Sequence, residues 1–165
     1  MNITKRVVTG CLMGLLSGGV VRAADDTGHV LGVVHRSNQT EIEMGKMAQD
    51  HGESKDVKAF GKMLAKDHAA ADKKVVKLAK DEKIDLEADT PPAEPHADMT
   101  KATGAAFDDA FAKEMLADHK KDVAAVTTAR DSTSDPKLKR LLTDILPVLQ
   151  KHEQTAQKLV DKGKG

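Results

Sequence analysis

The sequence predicts an all-α protein, a bundle of four helices, and three observations carry that reading. From Asp26 onward apolar residues recur at steps of three and four in four separate segments, the spacing that puts them on one side of a helix. Period-two alternation, the mark of a half-buried strand, is lacking. The segments are matched in length, about 24 to 30 residues or roughly 36 to 45 Å, so none buries its stripe alone and four make a bundle.

The first helix is expected over residues 27–50, ahead of Gly52, a natural terminator. The second runs over 54–83, with Ser54 as its cap and a lysine-coated outer face. The third covers 105–131. The fourth covers 136–162: Asp135 supplies a capping carboxylate, Pro136 suits the first helical position, and Gly163 ends it. Pro147 has no N–H for the carbonyl of Thr143 and should bend this helix about a turn before His152. The linker 84–104 contains the helix-breaking run Thr90-Pro91-Pro92-Ala93-Glu94-Pro95. About 20 residues reach up to roughly 66 Å when extended, enough to cross the bundle and set helices two and three parallel, as in ferritin-like folds. An up-down-up-down order with an idle loop also fits the length.

The first 23 residues read as a cleaved signal peptide: Lys5 and Arg6, an apolar stretch from Val7 to Val21, then Val21-Arg22-Ala23-Ala24. The expected cut follows Ala23, leaving 24–165 as one exported domain, periplasmic or otherwise in the cell envelope. At about 15 residues the apolar run is shorter than the roughly 20 a spanning helix needs. Val8-Thr9-Gly10-Cys11 resembles a lipoprotein box, but the hydrophobic region then lies on its wrong side. Cleavage removes three basic and no acidic residues from 26 of each, giving a net charge of −3, and removes the single Cys. The mature chain then has no disulfide, thiolate metal site or cysteine nucleophile.

Charge balance and the absence of Trp and Tyr, with only three Phe, argue against a nucleic-acid binder, which relies on a basic face and aromatic platforms. No Gly-x-Ser-x-Gly elbow, His-Glu-x-x-His pair or phosphate-cradling glycine loop occurs, so nothing here points to an enzyme.

The inner stripes are more informative. Helix four presents Leu138, Leu142, Ile145, Leu149, His152, Ala156 and Leu159; helix two presents Val57, Gly61, Leu64, His68, Ala71, Val75 and Leu78. Phe111, Met115, His119, Val123 and Val126 share a face of helix three, and Leu31, Val34, Asn38, Glu41, Gly45 and Ala48 a face of helix one. Each stripe thus carries one ionisable group near mid-helix: Glu41, His68, His119 and His152. Three imidazoles and a carboxylate match the ligands of zinc, iron, copper or manganese, with Asp67 and Asp118 as hydrogen-bonded supports or alternative ligands. The plainer alternative is a polar layer that sets register and binds nothing. His29, His35, His51 and His96 read as surface or terminal residues, His35 being the one spare ligand. The motif Phe60-x-Lys62-x-x-x-x-Asp67-His68 recurs as Phe111-x-Lys113-x-x-x-x-Asp118-His119, through similar neighbours or a duplicated hairpin.

Glu41-Ile42-Glu43-Met44-Gly45-Lys46-Met47-Ala48, Phe60 to His68, Phe107-Asp108 leading to Met115 and Asp118-His119, and Leu146-Pro147-Val148-Leu149 leading to His152 resemble the bacterial exported family known as domain of unknown function 4142. That resemblance implies a ferritin-like bundle over nearly all of the mature chain and assigns no biochemical role. Ferritin-like di-iron proteins use inward Glu and Glu-x-x-His pairs; this chain has adjacent Asp-His pairs instead, which speaks against ferroxidase chemistry. The expected function is therefore an exported helical bundle with a transition-metal site in its core. The alternative is a structural or stress-protective interaction module, pairing with a second copy or another envelope protein or meeting anionic surfaces through its lysine-rich faces.

Overall fold

The computed structural model describes the backbone of residues 18–86 and 99–163, with side chains from Thr27 onward except Thr100. Four helices follow in order: α1 (Gly18–His51), α2 (Lys55–Glu82), α3 (Gly104–Ser132) and α4 (Pro136–Lys162), with a single 3-10 turn at Met99–Lys101. Among the described residues there is no strand, and no helix is long and apolar enough to cross a membrane. The proline run 90–95, His96 and the first 17 residues of the expected signal lie outside the described residues. α1 starts at Gly18, ahead of the expected Thr27, and no proline interrupts the residues between.

The ends form as the sequence dictates. Ser54 Oγ accepts the N–H of Val57 at 3.2 Å, and the Asp135 carboxylate accepts those of Lys137 and Leu138 at 2.8 and 3.3 Å. Each satisfies donors that a helix start leaves open. At the far end of α2, Ile84 N–H reaches Ala79 O and Lys83 N–H reaches Lys80 O, a Schellman closure. It places Lys83 at φ 58°, ψ 37°, the left-handed region usually given to glycine. α4 continues through Pro147.

Contacts at the two ends of the bundle fix the topology. At one end the α1–α2 turn meets the start of α3, where Asp108 accepts the N–H groups of Glu53 and Ser54, and Lys162 of α4 pairs with Asp56 of α2. At the other, Thr27 of α1 donates to Asp135 and Lys137 of α4 pairs with Glu82 of α2. α2 and α3 therefore run parallel, with the end of α2 and the start of α3 at opposite ends of the bundle. Of the two orders the linker allowed, the ferritin-like crossover is the one adopted.

Two hairpins, α1–α2 and α3–α4, make most of the packing. In the first, a Cβ on Gly45 would stand 2.5 Å from Gly61 O, and one on Gly61 2.6 Å from Ala48 Cβ. Only glycine at both positions lets the backbones approach this closely. The core falls into two apolar clusters. One, near the start of α4, holds Leu31, Val75, Val126, Leu138, Leu142 and Ile145; the other holds Met44, Leu64, Met115 and all three phenylalanines. Between them lies a polar layer.

Candidate metal centre

That layer consists of Asn38 and Glu41 from α1, His68 from α2, His119 from α3 and His152 from α4, all buried. The heptad-like spacing of each stripe turns these residues inward, and the antiparallel hairpins bring them level. The rings of His68, His119 and His152 form a triangle with centroid separations of 5.1 to 5.6 Å. One ring nitrogen from each lies within 4.8 Å of the other two.

Hydrogen bonding sets which nitrogen of each ring carries the proton. His119 Nδ1 donates to the carbonyl of Met115 at 2.9 Å, so its Nε2 carries the lone pair. His152 Nε2 donates to Asp67 Oδ2 at 3.2 Å, leaving the lone pair on Nδ1. His68 Nδ1 donates to Asn38 Oδ1 at 2.9 Å, and its Nε2, also bearing a lone pair, has no hydrogen-bond partner. Met115, Asp67 and Asn38 thus set the three tautomers, as outer partners do for metal-ligating imidazoles.

Burial pushes His68 well below the ordinary histidine range, helped by the charges His152 and His119 would carry. Burial likewise lowers His119 to about 4, against the opposing Met115 hydrogen bond. His152 is lowered by burial and partly restored by Asp67. At neutral pH all three rings are neutral, the form that binds metal without first losing a proton.

Glu41, expected among the ligands, stands behind His119. Its Oε1 is 3.8 Å from Nδ1, the nitrogen already donating to Met115, on the ring edge away from the Nε2 lone pair. Its Oε2 has no hydrogen-bond partner. Burial, then Asp122, Asp118 and Glu114, raise its carboxyl well above the usual range. Asp67 accepts the hydrogen bond from His152 rather than one from its neighbour His68. Asp118 pairs with Lys121 at 3.5 Å, because an adjacent residue is turned about 100° round the helix from His119. The repeated motif is thus alike in its histidines and unlike in its aspartates. Its two phenylalanines meet edge-on across the core, with ring centroids 5.9 Å apart.

Three residues enter that sequence reasoning had not assigned a role. Asn38 was on the inner face of α1, but its bond to His68 depends on the glycine-mediated approach of α1 to α2. Asp72 is buried, receiving hydrogen bonds from Gln39 at 2.8 Å and His35 at 2.6 Å. This pulls the C-terminal half of the α2 seam onto Asp72, Val75 and Ala79, with Ala71 and Leu78 only half-buried. His35 is accordingly a half-buried partner of Asp72 and not a member of the triangle. Asp122 accepts from Ser37 at 3.1 Å, and burial raises it to about 6.

No curated protein and no solved structure matches the chain. A family profile described as Domain of unknown function (DUF4142) matches residues 19–159. With the four-helix bundle and the order of its motifs, this shows that the chain belongs to that family.

Proposed function

We propose that the protein is an exported bundle of the periplasm or cell envelope that holds a divalent first-row metal on His68, His119 and His152. One observation carries the reading: three buried imidazoles, each with one nitrogen hydrogen-bonded to an acceptor, bring a ring nitrogen apiece within 4.8 Å of the other two. A tetrahedral zinc ion with Zn–N bonds of 2.0–2.1 Å holds two ligand nitrogens about 3.3 Å apart, and His119 Nε2 to His152 Nδ1 is 3.3 Å. The all-imidazole set favours zinc, copper or iron; manganese prefers oxygen. Glu41, buried behind His119, and the half-buried Asp122 that acts on it supply compensating negative charge once a cation is present. Export rests on Lys5, Arg6, the apolar stretch to Val21 and the Ala23 cleavage sequence.

The rival reading is a polar layer that sets register inside an interaction module, with the exposed Lys62, Lys66 and Lys73 of α2 available to anionic partners. Each histidine does find one hydrogen-bond partner, which favours this reading. Elemental analysis of the untagged mature protein beside a His68→Ala, His119→Ala, His152→Ala variant separates the two. A metalloprotein gives near-stoichiometric metal that disappears from a variant still helical by circular dichroism. Absence of metal from both, even after incubation with zinc, iron and copper, would overturn the metal reading.

A further inference from the structure

The lysines of α2 are gathered in a row. Lys55, Lys58, Lys62, Lys66, Lys73, Lys77 and Lys80, all exposed, follow one another at steps of three, four or seven, which keeps them within an arc of about 100° on the helix. The row is about 37 Å long at 1.5 Å per residue. It lies on the side away from Leu64, His68, Val75 and Ala79, which α2 buries. The acidic residues of α2 do little to neutralise it. Asp56, Asp67 and Glu82 reach Lys162, His152 and Lys137 of α4, and Asp72 reaches His35 and Gln39 of α1. Asp81 pairs with Lys77, and Lys58 donates to the carbonyl of Gln49. Lys55, Lys62, Lys66, Lys73 and Lys80 have no ion-pair or hydrogen-bond partner among the described residues.

The make-up of the row selects among anionic partners. Nucleic acid is met by arginine forks and aromatic platforms; α2 has no Arg, and the chain has no Trp or Tyr. A protein partner needs apolar or aromatic anchors to bury, and the large apolar residue that α2 exposes is Val76 alone. Lysine is a hydrated point charge on a flexible stem. It suits a diffuse field that asks for no shape complementarity, and the negative potential of anionic lipid headgroups is such a field. We propose that α2 lays this row against a bilayer surface rich in anionic phospholipid, as a peripheral contact that inserts nothing. The expected mature chain has a net charge of −3, so its total charge repels it from that surface and the attraction comes from the row. This contact is independent of the metal reading, because the histidine layer lies on the opposite side of α2.

The test sediments the mature protein with phosphatidylcholine vesicles that do or do not contain phosphatidylglycerol. Binding is expected only where phosphatidylglycerol is present, and should vanish near 1 M salt, where the screening length is about 3 Å. Each lysine close to such a surface contributes about fivefold to partitioning, so Lys62→Gln, Lys66→Gln and Lys73→Gln together should weaken binding on the order of 100-fold. A second variant, Lys113→Gln, Lys120→Gln and Lys139→Gln, removes the same charge from exposed sites on α3 and α4 and should weaken it far less. Circular dichroism checks that both variants keep their helices. Failure to sediment with phosphatidylglycerol vesicles, or equal weakening in the two variants, overturns the membrane contact. Retention on immobilised heparin without binding to vesicles also overturns it, and assigns the row to a soluble polyanion.

Discussion

His119 Nε2 and His152 Nδ1 face each other at 3.3 Å, and in the neutral rings both present lone pairs, because Met115 and Asp67 hold the protons on the opposite edges. Two acceptors so placed repel unless a cation lies between them. A proton is a poor candidate, since burial lowers the affinity of both rings for it. Metal binding should therefore stabilise the fold. At a free zinc concentration one hundred times Kd the gain is about 2.7 kcal/mol, or roughly 5 to 10 °C in Tm for a domain of this size. Thermal melts in zinc and in a chelator measure it, and superimposable curves would contradict the prediction.

Asn38 holds His68 by a single hydrogen bond of 2.9 Å and touches no other member of the triangle through one. Asn38→Ala should free the ring to rotate and let either nitrogen carry the proton. Loss of such an outer partner typically weakens metal binding about 10- to 100-fold. Competition against a chromophoric chelator reads the change, and circular dichroism checks that the helices persist. An unaltered affinity would mean that packing alone orients His68.

The bundle and its inward histidines were legible because stripe periodicity records burial directly: His68, His119 and His152 sit at positions where leucine or valine would otherwise stand. The helix order was not legible, since a linker able to span the bundle permits two arrangements and only the contacts at the ends decide. Nor was the position of Glu41. A stripe gives the face a residue occupies but not which edge of a neighbouring ring it meets, and Met115 O had already taken the His119 edge nearest Glu41. Asp72 was hidden for a related reason, because a buried aspartate looks like solvent-facing charge until its partners His35 and Gln39 are placed on the adjoining helix.

Gly61 shows how much of the site depends on the approach of α1 to α2. Gly61→Ala would set a methyl carbon 2.6 Å from both Ala48 Cβ and Gly45 O. Neither can swing away, so the helices must separate. Overpacking of this kind costs about 1–3 kcal/mol, and the separation also draws Asn38 from His68. Urea unfolding should show the loss of stability, and metal titration a parallel loss of affinity. A fully stable variant would show that the glycine pair is dispensable.

Lys83 closes α2 in a left-handed conformation, φ 58°, which costs a residue with a Cβ about 1–2 kcal/mol. Lys83→Gly removes that cost at an exposed position while keeping the Schellman hydrogen bonds. Part of the gain is returned as greater freedom of the unfolded chain, so a net stabilisation of about 0.5–1 kcal/mol is expected by chemical denaturation. A destabilised variant would place the value of Lys83 in its side chain.

Asp122 provides the pH dependence. Burial raises its carboxyl from 3.8 to about 6, with Asp118 adding to the shift and the Ser37 hydrogen bond opposing it. Because the folded state binds this proton more tightly than the unfolded chain, its contribution favours folding at low pH and is lost as pH rises through about 6. Above that point the metal-free protein carries an ionised, poorly hydrated carboxylate, at a cost of at most about 3 kcal/mol. Asp122→Asn keeps an acceptor for Ser37 and removes the charge. In the metal-free protein the variant should be more stable than wild type at pH 8, with the difference shrinking steadily toward pH 4. With zinc bound the advantage at pH 8 should fall, because the cation then stabilises the carboxylate that the variant lacks. Tm measured across pH 4–8, with and without zinc, gives four curves. A difference between variant and wild type that does not change with pH would show that Asp122 keeps its proton equilibrium on folding and is no part of the charge balance around the histidines.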